Sequence, residues 1–133
     1  MACDTAVHQG GEGPISPECR EAESHSDFAF VRDVIFRSSC VFSSCHGAVP
    51  NGRLSLTASR AHDQLVGVTA HLEPTWVRVV PGSPDESYLM VKLGAVPGPL
   101  GEGGDTMPLN NPLLCEQKVE AVRRWIAAGA SSE

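Results

Sequence analysis

The sequence predicts an all-α fold, with three to four short helices and long loops arranged around one enclosed group. Apolar residues recur at helical spacing in separate segments, and the segments between them are rich in glycine and proline. The chain has 133 residues, which suit one compact domain, but only 5% of them are aromatic. Loops that wrap a planar group would explain both the long connections and the shortage of large side chains.

Charge and hydropathy argue against two classes of partner. The formal net charge is −6 and no basic stripe is present, so nucleic acid is a poor partner. No apolar run reaches the ~18 residues that a membrane span requires. The beginning of the sequence also lacks the pattern of a secretory signal peptide.

The first 25 residues differ in composition from the rest of the chain. Residues 1–25 are rich in Gly, Glu, Ser and Pro and have no apolar periodicity, which predicts a flexible leader, with docking near Cys19 as an open alternative. The domain is expected over residues 26–133. Its first helix is predicted to begin with Ser26 as the N-cap and Asp27 in the first turn, and to end at Ser38–Cys40. Its helical spacing comes from Phe30, Val31, Val34 and Ile35.

Three further elements are predicted downstream. Leu54 and Leu56 alternate with polar residues in an extended piece, and Thr57 is expected to cap a helix that ends at Leu65. Residues 71–80 are expected to be loop and extended chain.

Two helix signals follow in the last third of the chain. Ser83 and Glu86 match a capping box and Pro84 stands at the first helical position, so a helix is predicted as far as Leu93. The last helix is predicted over residues 115–128. Its apolar stripe is formed by Val119, Val122, Trp125 and Ile126.

The segment with the most chemistry is Cys40-Val41-Phe42-Ser43-Ser44-Cys45-His46-Gly47. It ends like a c-type haem attachment site, in which two thiols add to the haem vinyl groups and the adjacent imidazole binds the iron. Four residues separate the cysteines where two are usual, so the loop must bulge to bring Cys40 within reach. The motif predicts thioethers at Cys40 and Cys45 and an axial bond from His46.

A haem iron of this kind needs a second axial ligand, and methionine is common in electron-transfer cytochromes. Met107 is the candidate, because it lies in a loop well downstream of the cysteine motif. Met90 falls inside a predicted helix and is expected in the core, and His71 is the alternative ligand. Trp76 and Arg78 are candidates for hydrogen bonds to the haem propionates.

Four segments of the chain carry a family resemblance. They are Cys45-His46-Gly47, Arg78-Val79-Val80-Pro81-Gly82-Ser83-Pro84-Asp85-Glu86-Ser87-Tyr88-Leu89, Met107-Pro108 and Trp125-Ile126-Ala127-Ala128-Gly129-Ala130. In this order they resemble the small cytochrome c-like haem domains of planctomycetes and myxobacteria, over about residues 28–130. The resemblance implies a class I cytochrome c fold with one covalent haem c on Cys40 and Cys45 and with His46 and Met107 as axial ligands. The elongated spacing departs from the family pattern and affects the role of Cys40 most.

The resemblance also implies a function. We expect a monohaem c-type cytochrome that carries electrons in the periplasm or another extracytoplasmic space, as a monomer. No convincing set of a catalytic acid, base and nucleophile is present, so an enzyme is not expected unless Met107 leaves the iron open to peroxide or oxygen. The acidic balance favours a redox partner with a basic face.

The five cysteines fit an exported chain in which some of them are bonded. Cys3 is a candidate lipid anchor of a bacterial lipoprotein, and a solvent-exposed thiol is the alternative. If haem takes Cys40 and Cys45 and lipid takes Cys3, then Cys19 and Cys115 remain as a candidate disulfide pair.

Other uses of these residues stay open at the level of sequence. Cys40 could form a disulfide with Cys45 or with Cys115, in a cofactor-free, disulfide-stapled interaction module. Cys40, Cys45, His46 and Cys115 could also bind zinc as a Cys/His domain, although an adjacent Cys and His seldom reach one small ion.

Overall fold

The computed structural model describes residues 15–41, 45–47, 54–100, 104–108 and 113–133, and these parts are rich in helix. Their helices, numbered here in chain order, are α1 (Pro17–Ala22), α2 (Phe28–Phe30, Val31–Phe36 and Arg37–Ser39), α3 (Ala61–Leu65), α4 (Tyr88–Lys92) and α5 (Glu116–Ala127). A 3-10 turn over Pro84–Glu86 precedes α4. Only isolated β-bridges occur in the described residues. The helix-rich architecture predicted from the sequence is therefore confirmed.

Helix α1 lies inside the segment that the sequence assigned to a flexible leader. Its Cys19 and Ala22 are buried, and Cys19 is disulfide-bonded to Cys115 at the start of α5. Residues 15–25 are therefore ordered, because a covalent bond and buried contacts dock them on α5. The rest of the predicted leader, residues 1–14, lies outside the described residues.

Polar contacts reinforce this docking of α1 on α5. The ammonium group of Lys118 is fully buried and donates to the Glu18 carboxylate at 3.0 Å. The Arg124 guanidinium donates to the backbone carbonyls of Ala22 and His25 at 2.7 and 2.8 Å. Both contacts join residues about a hundred positions apart, so the start and end of the domain form one unit.

Helix α2 begins one residue later than predicted. Its N-cap is Asp27, whose carboxylate accepts the backbone N–H of Phe30 at 3.0 Å, and not Ser26. Asp27 also contacts the His25 ring at 2.7 Å, which fixes it in the capping position. The middle of α2, Val31–Phe36, is a π-helix, and the helix ends at Ser39, as predicted.

Helix α3 is shorter than the helix predicted from Thr57 to Leu65. The Thr57 carbonyl accepts the backbone N–H groups of Arg60 and Ala61, both at 2.9 Å. The intervening residues therefore form a turn, and α3 itself begins at Ala61.

The capping box predicted at Ser83 and Glu86 does not form. The Ser87 hydroxyl donates to the Ser83 carbonyl at 2.9 Å and accepts the N–H of Val80 at 2.8 Å, and Ser87 itself is extended. This buried serine interrupts the helical path, so a short 3-10 turn comes first and α4 begins at Tyr88.

Helix α5 agrees closely with the predicted range 115–128. Cys115 is the N-cap, Ala128 the C-cap, and the four predicted stripe residues are buried. The Trp125 ring packs 5.0 Å from the Phe28 ring of α2, so these two helices share the core. No helix in the described ranges has the length and hydropathy to cross a membrane.

Candidate functional site

A cavity lies among α2, the 54–56 segment and α4. Its interior volume is about 130 Å³, and the empty space around it, which includes open solvent, is about 880 Å³. The apolar part of its wall is Ile35, Phe36, Leu54, Leu56, Leu65, Ala70, Leu72, Leu89, Leu93 and Leu114. The other lining residues are Cys40, His46, His71, Arg78, Tyr88, Lys92 and Met107.

Three of the four predicted site residues line this cavity. They are Cys40, which directly follows α2, His46, and Met107. Cys45 is buried but is not part of the described lining, and its sulfur is in a disulfide. The structure therefore brings one cysteine of the motif to the cavity and engages the other elsewhere.

The ring of His46 is held in one tautomer. Its Nδ1 lies 2.9 Å from the carbonyl oxygen of Leu54, and a carbonyl can only accept, so Nδ1 carries the proton. In the neutral ring the lone pair is then on Nε2, and this is the arrangement that orients histidines bound to a metal. The sequence predicted His46 as a site residue but not the Leu54 carbonyl as its partner, because every residue has a backbone carbonyl and the residue type does not mark it.

Backbone hydrogen bonds also fix the position of His46. Its N–H donates to the Cys40 carbonyl at 3.0 Å, and its own carbonyl accepts the N–H of Leu56 at 2.7 Å. The end of α2 and the extended piece at 54–56 therefore clamp this residue from two sides. Within the predicted extended piece, the Leu54 carbonyl and the Leu56 N–H bond to His46. The side chains of the same two leucines form part of the apolar wall.

Met107 also lines the cavity, and it lies in a loop far downstream of His46 in the sequence. Its N–H donates to the Lys92 carbonyl at 2.6 Å, so the loop that carries it is attached to the end of α4. Met90 is fully buried in the core, as the sequence predicted. The two internal methionines therefore occupy different environments, and only Met107 lines the cavity.

Helix α4 and its C-cap residue Leu93 contribute four residues to the cavity wall, Tyr88, Leu89, Lys92 and Leu93, as two pairs with i, i+4 spacing. Tyr88 is 6% exposed, and its hydroxyl has no hydrogen-bond partner among the described residues. Burial raises the pKa of Tyr88, and the charge of Glu73 adds to this. Burial also lowers the pKa of Lys92. Tyr88 and Lys92 were not predicted as site residues, although their i, i+4 spacing can be read from the sequence.

Arg78 and Trp76 differ in their relation to the cavity. Arg78 is buried in the wall and donates to the Gln64 carbonyl at 2.8 Å, and burial lowers the pKa of its guanidinium. Trp76 packs against Tyr88 with ring centroids 5.9 Å apart, outside the described lining. His71 is exposed and belongs both to this cavity and to a neighbouring polar one.

The disulfides decide between several alternatives for the cysteines. Cys115 is bonded to Cys19, as the conditional pairing predicted, so the alternative pairing of Cys40 with Cys115 does not occur. The zinc set also fails, because Cys45 and Cys115 are both in disulfides. Within the described ranges, no three His, Cys, Asp or Glu side chains are grouped to hold a metal ion.

The chain was compared with protein-family models, with curated proteins and with solved structures, and none of them matches it. What the site can do therefore follows from its own residues. It offers an apolar cavity with an imidazole of fixed tautomer, a thioether, a cysteine and several hydrogen-bond donors.

Proposed function

We propose that this chain is a monohaem c-type cytochrome, a class I cytochrome c-like electron carrier that works outside the cytoplasm. The observation that carries the proposal is the shared lining of one apolar cavity by His46, with its proton on Nδ1, and by Met107. Haem, when bound, supplies a one-electron Fe(III)/Fe(II) couple. The chain binds the group, excludes water from it and sets its potential.

In this proposal His46 and Met107 would hold the haem iron. The hydrogen bond from Nδ1 to the Leu54 carbonyl orients the imidazole and makes it a stronger base. A thioether ligand and apolar walls both favour the ferrous state, because they stabilise the extra positive charge of ferric iron poorly. A raised reduction potential is therefore expected.

The two candidate attachment cysteines differ in their location and bonding. The place of Cys40 in the cavity wall supports a thioether at this residue. Cys45 can form one only after its disulfide has been reduced, because a sulfur in a disulfide cannot add to a vinyl group. The Cys40→Ala and Cys45→Ala variants are each expressed as holoprotein, and their intact mass is measured before and after haem extraction. The variant that loses its haem identifies the sulfur that retains it.

The disulfide between Cys19 and Cys115 supports an extracytoplasmic location, since such bonds persist in oxidising compartments. The candidate lipid anchor, Cys3, lies outside the described residues. A net charge of −6 supports a redox partner with a basic face, and association with it should weaken as salt is added.

A cofactor-free, disulfide-stapled module is the second candidate, and the disulfide at Cys45 is the observation that favours it. Absorption spectra of the full chain, expressed with a haem-maturation system, separate the two. We expect a Soret band and sharp α and β bands after reduction. A colourless, folded protein from the same system would contradict the cytochrome and leave the stapled module.

A further inference from the structure

The backbone hydrogen bonds of α2 change register twice along the helix. Val31 donates its N–H to the carbonyl four residues back, at 3.3 Å. Arg37 donates to the Arg32 carbonyl, which is five residues back. Cys40 then donates to the Phe36 carbonyl, again four residues back, at 2.7 Å. The π-helical middle of α2 is therefore enclosed by α-helical turns on both sides, and such segments are rare and frequently lie at functional sites.

The return to the α register leaves one carbonyl of α2 without a backbone donor. Between the two donors Arg37 and Cys40 lie two N–H groups, those of residues 38 and 39. Between their acceptors lie three carbonyls, those of residues 33–35. A carbonyl that lacks a donor costs free energy where water is excluded, so the turn requires a donor from a side chain.

The hydroxyl of Ser38 is such a donor. It donates to the Val34 carbonyl and lies 3.4 Å from the Ile35 carbonyl, and both belong to this set of three. A serine in an ordinary helix can bond in the same way to the carbonyl four residues back. Here the bond falls at the point where the backbone has one carbonyl too many, so Ser38 completes the π-helical segment.

The π-helical segment borders the cavity and leads to the residues that hold His46. Ile35 and Phe36 are buried and line the cavity. Cys40 lines it as well, and its carbonyl accepts the N–H of His46 at 3.0 Å. Conversion of this segment to α-helix, with no residue removed, would rotate residues 37–40 by about 100° and move them by about 1.5 Å along the axis. The contact between Cys40 and His46 would then be lost.

We infer that Ser38 is a positioning residue: its hydroxyl stabilises the π-helical segment, and this segment aligns Cys40 and His46 with the cavity. The inference deepens the proposed function and rests on it for its biological role, because His46 would hold the haem iron. The alignment itself is a property of the chain and is measurable without haem.

NMR spectra of the full chain, labelled with ¹⁵N and ¹³C and purified without haem, test the inference. Couplings across hydrogen bonds identify the carbonyl that accepts each N–H, and the ring nitrogen shifts of His46 report its tautomer. We expect a coupling from Arg37 to Arg32 and a protonated Nδ1 in the wild type. Ser38→Ala should lose this coupling and shift the His46 ring and amide signals. Ser38→Thr should restore both, because a threonine hydroxyl can bond to the same carbonyl.

Deletion of Asp33 separates the effect of Ser38 on register from its effect on stability. Asp33 is exposed and its ion pair is with the adjacent Arg32, so removal of the side chain costs little. Arg32 then lies four residues before Arg37, so the deletion should give a continuous α-helix whose ends keep their directions. In this background Ser38→Ala should no longer shift the His46 signals. Ser24→Ala, which removes a hydroxyl bonded to a carbonyl of α1, is the matched control and should change neither readout.

Two results would overturn the inference. One is an unchanged coupling from Arg37 to Arg32 in Ser38→Ala, with unchanged His46 signals. The other is an equal shift of the His46 signals when Asp33 is deleted, since Ser38 would then act independently of the π-helical segment. If the deletion variant does not fold, the alanine and threonine variants decide. A chain that gives the expected spectra but takes up no haem would contradict the cytochrome and leave the role of Ser38 intact.

Discussion

At the scale of single residues, two residues of the cysteine motif, Cys40 and His46, line one cavity. His46 was indicated by its position after a cysteine, and the structure adds the Leu54 carbonyl that fixes its tautomer. The motif also grouped Cys45 with Cys40, yet only Cys40 lines the cavity. Spacing within a motif gives the reach of two side chains, whereas the direction each one takes depends on packing against distant segments.

Tyr88 allows a direct test of the buried hydroxyl, because it is the only tyrosine in the chain. Its absorbance should titrate in the folded apoprotein with a pKa above the ordinary value of about 10, and return to that value in denaturant. The unfolded chain then loses this proton first, so folding stability should fall as pH rises through about 10. Thermal unfolding at several alkaline pH values, with Tyr88→Phe as the control, measures this loss. An ordinary titration in the folded protein would show that the hydroxyl is hydrated.

At the scale of elements, the sequence predicted most helices and misplaced several of their ends. The last helix was predicted well, since a long amphipathic stripe is a strong signal. The interruption at Ser87 could not be predicted, because it depends on hydrogen bonds with Val80 and Ser83 that tertiary packing creates. Helix α1 was missed for a similar reason: its order comes from contacts with α5, and its composition is that of a leader.

Two neighbouring residues, Ser26 and Asp27, are candidates for the N-cap of α2, and mutation of each can distinguish them. Asp27→Ala should destabilise the protein by about 1 kcal/mol, because the N–H of Phe30 loses its acceptor. Ser26→Ala should have almost no effect, although the sequence pattern favoured Ser26 as the cap. Urea unfolding at neutral pH measures both free energies of unfolding, and the reverse order of effects would disprove the observed cap.

The pKa of the Asp27 carboxyl is lowered, chiefly by its hydrogen bond with His25. A carboxyl whose pKa is lower in the folded state stabilises the fold above its unfolded pKa of about 4, and this contribution disappears as pH falls further. Asp27→Asn should therefore retain the cap and weaken this acid dependence. An unchanged acid dependence in Asp27→Asn would show that the carboxyl does not contribute to it.

The disulfide between α1 and α5 should be a main source of stability. It closes a sequence separation of 96 residues, and loops of this size correspond to a stabilisation of about 2–5 kcal/mol. Replacing Cys19 and Cys115 together by Ala should lower the free energy of unfolding by that order and increase hydrogen exchange in α1. Unchanged exchange in α1 would indicate that the contacts of Lys118 and Arg124 suffice to hold it.

At the scale of the whole molecule, the sequence segments that carried the family resemblance meet around one cavity. His46, Tyr88 and Met107 come from three distant segments and line the same space, while Trp125 from the fourth lies in the adjoining core. Helical periodicity and motif order predicted the helix content and the candidate ligands. They could not predict the cavity, because its walls are assembled from residues that carry no local signal, such as Leu54, Leu65 and Leu114.

The central claim, haem in this cavity with Met107 on its iron, is tested most directly by the sulfur-to-iron charge-transfer band of the oxidised holoprotein. The wild type should show the band, and Met107→Leu should lose it, because leucine has no donor atom for iron. Met90→Leu is the matched control, since this methionine is buried in the core and should leave the band unchanged. A band that survives in Met107→Leu, or that disappears in Met90→Leu alone, would contradict this account of the site.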